Sequence, residues 1–352
     1  MMKLYIKSTA CISAQKTFGD VPFLTDAHTY TKPRLDAIEP DYKPYLDPKL
    51  SRRMSRVIKM GVAAAKEALN QSGVTMPDAI ITGTAYGCVE DTTVFLTRII
   101  EQEEEMLPPT AFIQSTHNTV AAQIALMLQC HAYNNTFVHK SFSFESALMD
   151  AAMLFAEQEA STILVGGIDE ITDTNYAIFD RFDTYKKGDF TNTELYATNS
   201  PGTIAGEGAA FFVLSNESSG SDIASIDAFQ TVYKPANIEE AVLSFLTAHD
   251  LQLDNIDLVI SGKNGDTPSD VAIDELEKGL FKNNPLIHYK HLCGEYPTAS
   301  SFALWLASNI VKTGAVPAAL AENKVTNSQI KRVLICTHYQ NKYWSLMLVS
   351  AC

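Results

Sequence analysis

A serine in a position that favours nucleophilic chemistry lies within HKSFSFESALMDAA, residues 139–152 of this 352-residue chain. Ser141 follows a run typical of a strand and precedes a predicted helix, whose first turn directs free backbone N–H groups toward it. A helix N-terminus favours negative charge and stabilises a developing oxyanion. Serine is nevertheless a weak nucleophile at neutral pH unless a base removes its proton. The alternative is that Ser141 only caps the helix, as serine commonly does.

Two other segments carry charged residues that such a serine would need. VISGKNGDTPSD, residues 259–270, places Lys263 after an apolar strand, and HYKHLCGEYPTASS, residues 288–301, places Lys290 and Glu295 before a predicted helix. A desolvated lysine amine can act as a base or stabilise an oxyanion, and a carboxylate can orient it. The alternatives are an exposed loop lysine and a glutamate in the first turn of a helix.

The composition limits the classes of function. Hydrophobic residues make up 46% of the chain and charged residues 19%, which is typical of a globular protein with a large core. The net charge of −14 argues against general nucleic-acid binding. No apolar run is long enough to span a bilayer, and the first residues do not have the pattern of a signal peptide.

The spacing of the cysteines and histidines limits which cellular compartment and which cofactors we expect. The six cysteines have no CxxC spacing, so we expect reduced, mostly buried thiols and a cytoplasmic protein. No His/Cys cluster has the spacing of a zinc site. We therefore expect neither a metal nor a cofactor.

Short apolar strands alternate with helical periodicity along the whole chain. Examples are the helix predicted over residues 55–71 and the apolar strand predicted over 162–165. This alternation predicts an α/β protein whose sheet is covered on both faces. A polar stretch at residues 216–222 is typical of a linker and divides the chain into two predicted halves, 1–217 and 218–352.

Five motifs, in order, resemble the β-ketoacyl synthase (condensing-enzyme) branch of the thiolase superfamily. They are LDPKLSRRMSRVIKMGVAAAKEAL (46–69), ITGTAYGCVEDTTVFL (81–96), FIQSTHNTVAAQIAL (112–126), ILVGGIDE (163–170) and IAGEGAAFFVL (204–214). The resemblance covers most of the chain. It implies a thiolase-like, layered α-β-α-β-α fold built of two similar halves.

The resemblance also implies which residues stand at the family's catalytic positions. The family's nucleophilic cysteine, at a fixed distance before the VGG strand, is replaced by Ser141, with Ser143 as the alternative if the register differs by two residues. The family's two histidines are replaced by Lys263 and Glu295. The flanking residues that match the family are Thr267, Pro268, Asp270, Lys290 and Gly294. A glutamate cannot be the neutral hydrogen-bond donor that decarboxylation needs unless burial raises its pKa.

The C-terminal segment CTHYQNKYW, residues 336–344, lacks the glycines of the family's gating loop. Cys336 and His338 are similar to the acid–base cysteine region of thiolases, although a buried cysteine at a strand end explains Cys336 equally well. His291 or His338 could also replace a missing histidine.

The resemblance further implies partners. The basic run RRMSRVIK, which contains Arg52, Arg53, Arg56 and Lys59, could dock an acidic acyl carrier protein, or could be a solvated helix face. Acyl-CoA is the alternative acyl donor. The strand predicted over 135–139 would form the central interface of a homodimer or of a heterodimer with an active ketosynthase.

These expectations lead to one main hypothesis and two alternatives. The main hypothesis is a β-ketoacyl synthase-like protein of fatty acid or polyketide biosynthesis, aryl polyenes included, that does not elongate chains and resembles a chain length factor. The first alternative is an acyltransferase that uses Ser141 as nucleophile with Lys263 and Glu295. The second is an active 3-oxoacyl synthase that catalyses decarboxylative Claisen condensation, which would require a cysteine such as Cys336 in the pocket. A non-catalytic acyl-binding module on the same scaffold is close to the main hypothesis.

Overall fold

The structure is a computed structural model that describes residues 3–320 and 329–352. The amino-terminal strands are β1 (Leu4–Ile12), β2 (Arg34–Leu35), β3 (Ala79–Gly83), β4 (Tyr133–Phe137), β5 (Thr162–Asp169), β6 (Ala205–Gly206) and β7 (Gly208–Ser215). The carboxy-terminal strands are β8 (Ala224–Tyr233), β9 (Leu258–Ser261), β10 (Leu286–His288), β11 (Arg332–Tyr339) and β12 (Tyr343–Ser350).

The helices alternate with these strands along the chain. They are α1 (Pro48–Ser51), α2 (Arg56–Ser72), α3 (Val89–Glu101), α4 (Pro109–Gln114), α5 (Thr119–Leu128), α6 (Ser143–Ala156), α7 (Asp173–Asp180), α8 (Ile238–Thr247), α9 (Val271–Lys278), α10 (Lys290–Cys293) and α11 (Ser300–Thr313).

The main sheet consists of two groups of five strands with the same order and directions. The amino-terminal group runs β4-β3-β5-β7-β1 and the carboxy-terminal group runs β10-β9-β11-β12-β8. In each group the first three strands are parallel to one another. The fourth strand pairs antiparallel with the third, and the fifth pairs antiparallel with the fourth. Antiparallel pairing of β1 with β8 joins the groups. The boundary predicted between residues 217 and 218 falls in the loop between β7 and β8, and the division of the chain there stays a prediction.

Two buried helices form the central layer of the fold. α6 packs on β3 and β5, and α11 packs on β7, β11 and β12. Apolar residues of both strand groups complete this layer, among them Val165 and Val333. The helices α2 and α5 cover the outer face of the first group, and α8 and α9 cover the second. The layered α/β arrangement predicted from the sequence is thereby confirmed.

The strand before Ser141 lies two residues earlier than predicted. β4 spans Tyr133–Phe137, and its last pair joins Phe137 to Gly83 of β3. Residues 138 and 139 instead lead into a turn at Lys140, whose φ of 43° ends the extended conformation. The strand thus includes the polar Asn134 and Asn135 and ends before Val138. A prediction from hydrophobicity places it later, because the apolar residues Phe137 and Val138 lie toward its end.

In the described ranges, no helix has both the length and the apolar character needed to cross a membrane. All six cysteines are free, and Cys352 is the exposed one.

Candidate functional site

Ser141 lies in a short 3₁₀ turn, Lys140–Phe142, between β4 and α6. The Ser143 hydroxyl donates to the Lys140 carbonyl at 2.7 Å and accepts from the His139 N–H at 2.8 Å. The Ser143 hydroxyl is therefore occupied in holding the turn, and no side chain, that of Ser141 included, caps the start of α6 among the described residues. The side chain of Ser141 instead faces a small cavity.

The close approach of β3 fixes the position of this turn. A Cβ atom at Gly83 would lie 2.4 Å from the carbonyl carbon of Ser143. Backbone therefore packs directly against backbone at the start of α6. This contact leaves Ser141 little freedom to move.

The cavity in front of Ser141 is small. Its water-accessible volume is about 10 Å³, which is room for roughly one water molecule. The side chains around it come from the start of α6, the start of α11 and the ends of β11 and β12. They are Ser141, Glu145, Lys290, Glu295, Pro297, Ser300, Thr337, His338, Tyr339, Tyr343 and Ser345.

Lys290 and Glu295 form a buried ion pair in the wall of this cavity. The Lys290 ammonium donates to Glu295 Oε1 at 2.6 Å, and the two side chains are 3% and 6% exposed. Burial alone would lower the pKa of Lys290, but the adjacent Glu295 carboxylate outweighs it and the pKa is raised. Lys290 therefore stays charged and cannot accept a proton from Ser141.

Lys263 is not among the residues that line the Ser141 cavity. Its ammonium pairs with Asp274 on α9, outside the cavity. The backbone N–H groups of Asn264 and Gly265 donate to the Asp270 carboxylate at 3.0 and 2.7 Å, and these bonds fix the loop conformation. In that conformation it is Asn264 that reaches the site, where its amide donates to Glu295 Oε2 at 2.8 Å.

His338 lines the cavity, as the sequence allowed, whereas Cys336 and His291 do not. The imidazole Nδ1 of His338 accepts from the Asn341 N–H at 3.2 Å, and Nε2 lies 3.5 Å from Asp270 Oδ1. Cys336 is fully buried in the outer core against α8 and α9, where burial raises the pKa of its thiol. This position agrees with the explanation of Cys336 as a buried cysteine at a strand end. His291 packs against Tyr196, and burial lowers its pKa to about 4.

Glu145 is a site residue that the sequence analysis missed. It lies one helical turn after Ser141, is 2% exposed and lines the cavity, yet neither carboxyl oxygen has a hydrogen-bond partner within the described residues. Burial raises the pKa of Glu145, so its neutral form is favoured. The available signal was its spacing of four residues from Ser141, which places both on one helix face.

A larger pocket opens to the surface beside the small cavity. Its water-accessible volume is about 210 Å³, and Tyr86, Phe179 and Tyr185 contribute aromatic rings to its wall. Glu295 and Tyr339 line both spaces, so these two side chains separate the pocket from Ser141. Desolvation raises the pKa of Tyr339 to about 12, so its phenol stays protonated.

The basic run is only partly available to a carrier protein. Arg52 and Arg53 are exposed and Lys59 is half-buried. Arg56 turns inward instead, where Nη1 donates to the buried Glu207 at 2.6 Å and Nε donates to Glu39 at 2.6 Å. The guanidinium of Arg56 is therefore already paired within the protein, and the docking role of this run stays a prediction.

Across the residues that the structure describes, no group of three or more His, Cys, Asp or Glu side chains is arranged to hold a metal ion.

Replacing Lys290 by methionine should lower the free energy of unfolding by about 3–5 kcal/mol, because the Glu295 carboxylate is left buried without a counter-charge. The control Lys263→Met breaks a more exposed pair, with side chains 21% and 31% exposed, and should cost about 1 kcal/mol or less. The double variant K290M/E295Q should recover most of the loss, since a neutral amide needs no counter-charge and can still accept from Asn264. Urea unfolding at pH 7 measures all three variants. Equal losses for the two lysine variants would contradict the assignment.

Replacing Glu145 by glutamine should change how stability depends on pH. A carboxyl whose folded pKa is raised stabilises the fold fully below its unfolded pKa, roughly 4.3, and loses that contribution as pH rises toward the folded pKa. The free energy of unfolding of E145Q relative to wild type should therefore increase above about pH 4.5, by at most about 1.4 kcal/mol per pH unit. Chemical unfolding between pH 4.5 and 7.5 tests this, with the exposed Glu157→Gln as control. If the free energies of unfolding of E145Q and wild type changed with pH in parallel, the assignment of Glu145 as a buried carboxyl with a raised pKa would be refuted.

Residues 30–187 match the family model of the β-ketoacyl synthase N-terminal domain. Comparison with curated protein sequences gave no significant match. Solved structures are similar over the whole chain. A β-ketoacyl synthase from Burkholderia phymatum STM815 has a TM-score of 0.80 at 16% identity and covers 100% of both chains.

Two other similar structures contain chain length factors. The ishigamide ketosynthase/chain length factor has a TM-score of 0.79 at 16% identity, covering 100% of this chain and 99% of that one. A ketosynthase in complex with its chain length factor from Xenorhabdus doucetiae has a TM-score of 0.75 at 14% identity, covering 100% and 98%. The resemblance drawn from the sequence is confirmed: residues 30–187 match the family model of the β-ketoacyl synthase N-terminal domain. The chain as a whole shares the layered fold of the solved ketosynthases.

Proposed function

We propose that this chain is the non-elongating, chain-length-factor-like subunit of a ketosynthase pair in fatty acid or polyketide biosynthesis. The observation that carries the proposal is the state of the nucleophile position. Ser141 faces a cavity of about 10 Å³ in which the one lysine, Lys290, is held by Glu295. The other candidate base in the cavity is His338, whose Nδ1 already accepts from the Asn341 N–H at 3.2 Å. A serine without a free base is not activated for acyl transfer.

The cysteines give a second line of support. Within the described residues, no cysteine side chain lines the Ser141 cavity. Cys336, which the condensing alternative required, lies in the outer core with its thiol protonated. We therefore do not retain decarboxylative Claisen condensation as a proposal.

The path to Ser141 gives a third line of support. An acyl chain on a carrier arm would enter the surface pocket and meet Tyr339 and Glu295 before it reached Ser141. The residues around Tyr339 carry none of the glycines of the family's gating loop. Opening this passage would require a bulky aromatic side chain to move out of a packed wall.

The names of the similar structures agree with a paired function. One is a ketosynthase/chain length factor, another a ketosynthase in complex with its chain length factor, and a third an acyl carrier protein in complex with its ketosynthase, bound to a hexaketide. We infer that the partners of this chain are an active ketosynthase and an acyl carrier protein in the cytoplasm. Aryl polyenes are one product class within this proposal.

One alternative keeps a specific observation in its favour. Ser141, Lys290 and Glu295 lie in the same cavity, and catalytic hydrogen bonds are often long in the absence of substrate. If substrate binding brought these three side chains into hydrogen-bond contact, the Ser141 oxygen would attack an acyl thioester and form a serine ester, while the thiol leaves with the serine proton. The acyltransferase alternative therefore predicts a covalent acyl-serine.

Intact mass spectrometry separates the two functions. After incubation with acyl- and malonyl-carrier protein, or with acyl- and malonyl-CoA, we expect no acyl adduct on the wild-type chain, because Ser141 has no free base. Ser141→Ala and Ser143→Ala are the matched variants. An adduct on the wild type that is lost in S141A but kept in a folded S143A would overturn the non-elongating proposal and establish the acyltransferase.

The edge strand β4 is the face that we propose for pairing. Tyr133 on β4 is 43% exposed, and Leu126, Val138 and Met153 beside it are 67%, 47% and 53% exposed. An edge strand with unpaired backbone groups and an apolar surround favours association. This face includes the strand that the sequence analysis assigned to the dimer interface.

Charged substitutions on this face should weaken subunit pairing. We propose that, in the absence of the ketosynthase, two copies of the purified chain pair through the same face and elute as a dimer by size-exclusion chromatography with light scattering. The variant L126E/M153E should elute as a monomer, because two carboxylates would be buried per protomer. The control L50E/V271E places the same charges at two exposed positions elsewhere, 48% and 52% exposed, and should stay dimeric. A dimeric L126E/M153E would exclude β4 as the pairing face.

A further inference from the structure

A second cavity, which we call the Lys16–Lys312 pocket, lies between β1, the loop after it and the last turns of α11. Its water-accessible volume is about 190 Å³, below the ~300 Å³ at which sites for drug-sized ligands begin. Lys16, Phe23, Trp305 and Lys312 are among its lining residues. The pocket could therefore hold a ligand of fragment size.

This pocket is separate from the Ser141 cavity. Ser300, at the first residue of α11, lines the Ser141 cavity, whereas Lys312 in its last turn lines the Lys16–Lys312 pocket. Twelve residues of helix separate the two positions by about 18 Å. No residue lines both spaces among those described, so the inference does not depend on the proposed function.

The charged groups of the pocket have one sign. Lys16 and Lys312 line it and, in the described ranges, no Asp or Glu does. Neither lysine forms an ion pair with a described residue, although the chain has 41 acidic residues and 27 basic ones. Lys312 lies in the last turn of α11, where the negative end of the helix dipole favours a positive charge. Lys16 lies in a loop, and no helix end accounts for its charge.

A buried neutral donor adds to the two lysines. Thr9 of β1 lines the pocket and is 6% exposed, and its hydroxyl has no hydrogen-bond partner among the described residues. An unsatisfied buried hydroxyl is costly unless a ligand or a water pairs with it. The polar part of the pocket therefore offers donors without a competing carboxylate.

Part of the remaining wall is apolar and aromatic, beside the polar Thr17, Gln71 and Asn309. The rings of Phe23 and Trp305 pack edge to face with centroids 5.6 Å apart, and Val21 and Pro22 continue this wall. Aromatic faces and edges favour flat apolar groups. We propose that the Lys16–Lys312 pocket binds a small organic anion, in which a carboxylate or phosphate group meets the two lysines and a flat or short apolar body contacts Phe23 and Trp305.

Tryptophan fluorescence offers a local measurement of this binding. The chain has two tryptophans, and Trp344 is fully buried on β12 beside His338. In Trp344→Phe the emission therefore comes from Trp305, in the pocket wall. Benzoate and phenyl phosphate should each change this emission saturably, and the tighter of the two identifies the head group. Neutral benzamide should bind at least ~10-fold more weakly, since each 1.4 kcal/mol of charge attraction is a factor of ten.

The double variant K16A/K312A should weaken anion binding at least ~10-fold. K43A/K282A removes two exposed lysines outside the pocket and should leave the affinity unchanged. Titration calorimetry on the wild type provides the same comparison should W344F not fold. Absence of saturable binding of both anions to the folded wild type would overturn the proposal. So would equal affinity for benzamide, or an unchanged affinity in K16A/K312A.

Discussion

The site depends on one buried interaction, the ion pair between Lys290 and Glu295. Two desolvated charges are stable there because each has its partner at 2.6 Å and because Asn264 donates to the second carboxylate oxygen at 2.8 Å. The backbone of Glu295 adds a connection between the carboxy-terminal part of the chain and the segment around β6: its N–H donates to the Ile204 carbonyl at 2.7 Å, and its carbonyl accepts from the Gly206 N–H at 3.1 Å. Loss of either charge would therefore disturb the wall of the cavity and the contact between the halves together.

This pair changes what the position in front of α6 can do chemically. A nucleophilic serine requires a neighbour whose protonation can change during the reaction. Lys290 is kept charged by Glu295, and Glu145 is favoured in its neutral form by burial. Lys290 therefore cannot take a proton from Ser141, which suits a packed wall better than a proton relay. The small volume of the cavity follows from the same packing, because Tyr339 closes it on the side of the surface pocket.

The sequence predicted the scaffold better than it predicted the side chains on it. Helix α2 was predicted within one residue at each end, because its apolar positions have helical spacing and Gly73 ends it with a φ of 73°. β8 was not predicted, since its second half is largely exposed and gives no continuous apolar run. Lys263 was assigned to the site and Asn264 was not, since the direction of that loop is set by hydrogen bonds to Asp270. Glu145 was overlooked because a glutamate in the first turn of a helix is usually solvated; only the packing around it reveals a buried carboxyl.

The presence of a glutamate at position 295 also has a physical reason. Lys290 matches a lysine of the family, and its side chain is nearly fully buried, so its charge must be compensated from within the protein. A glutamate at the family's second histidine position supplies that compensation in full, whereas a neutral imidazole would supply only a hydrogen-bond partner. The substitution therefore gains electrostatic stability at the position where a neutral donor is lost. With the carboxylate present, replacement of Glu295 by histidine alone would leave Lys290 without its counter-charge, so the stability of the fold favours keeping a carboxylate at this position.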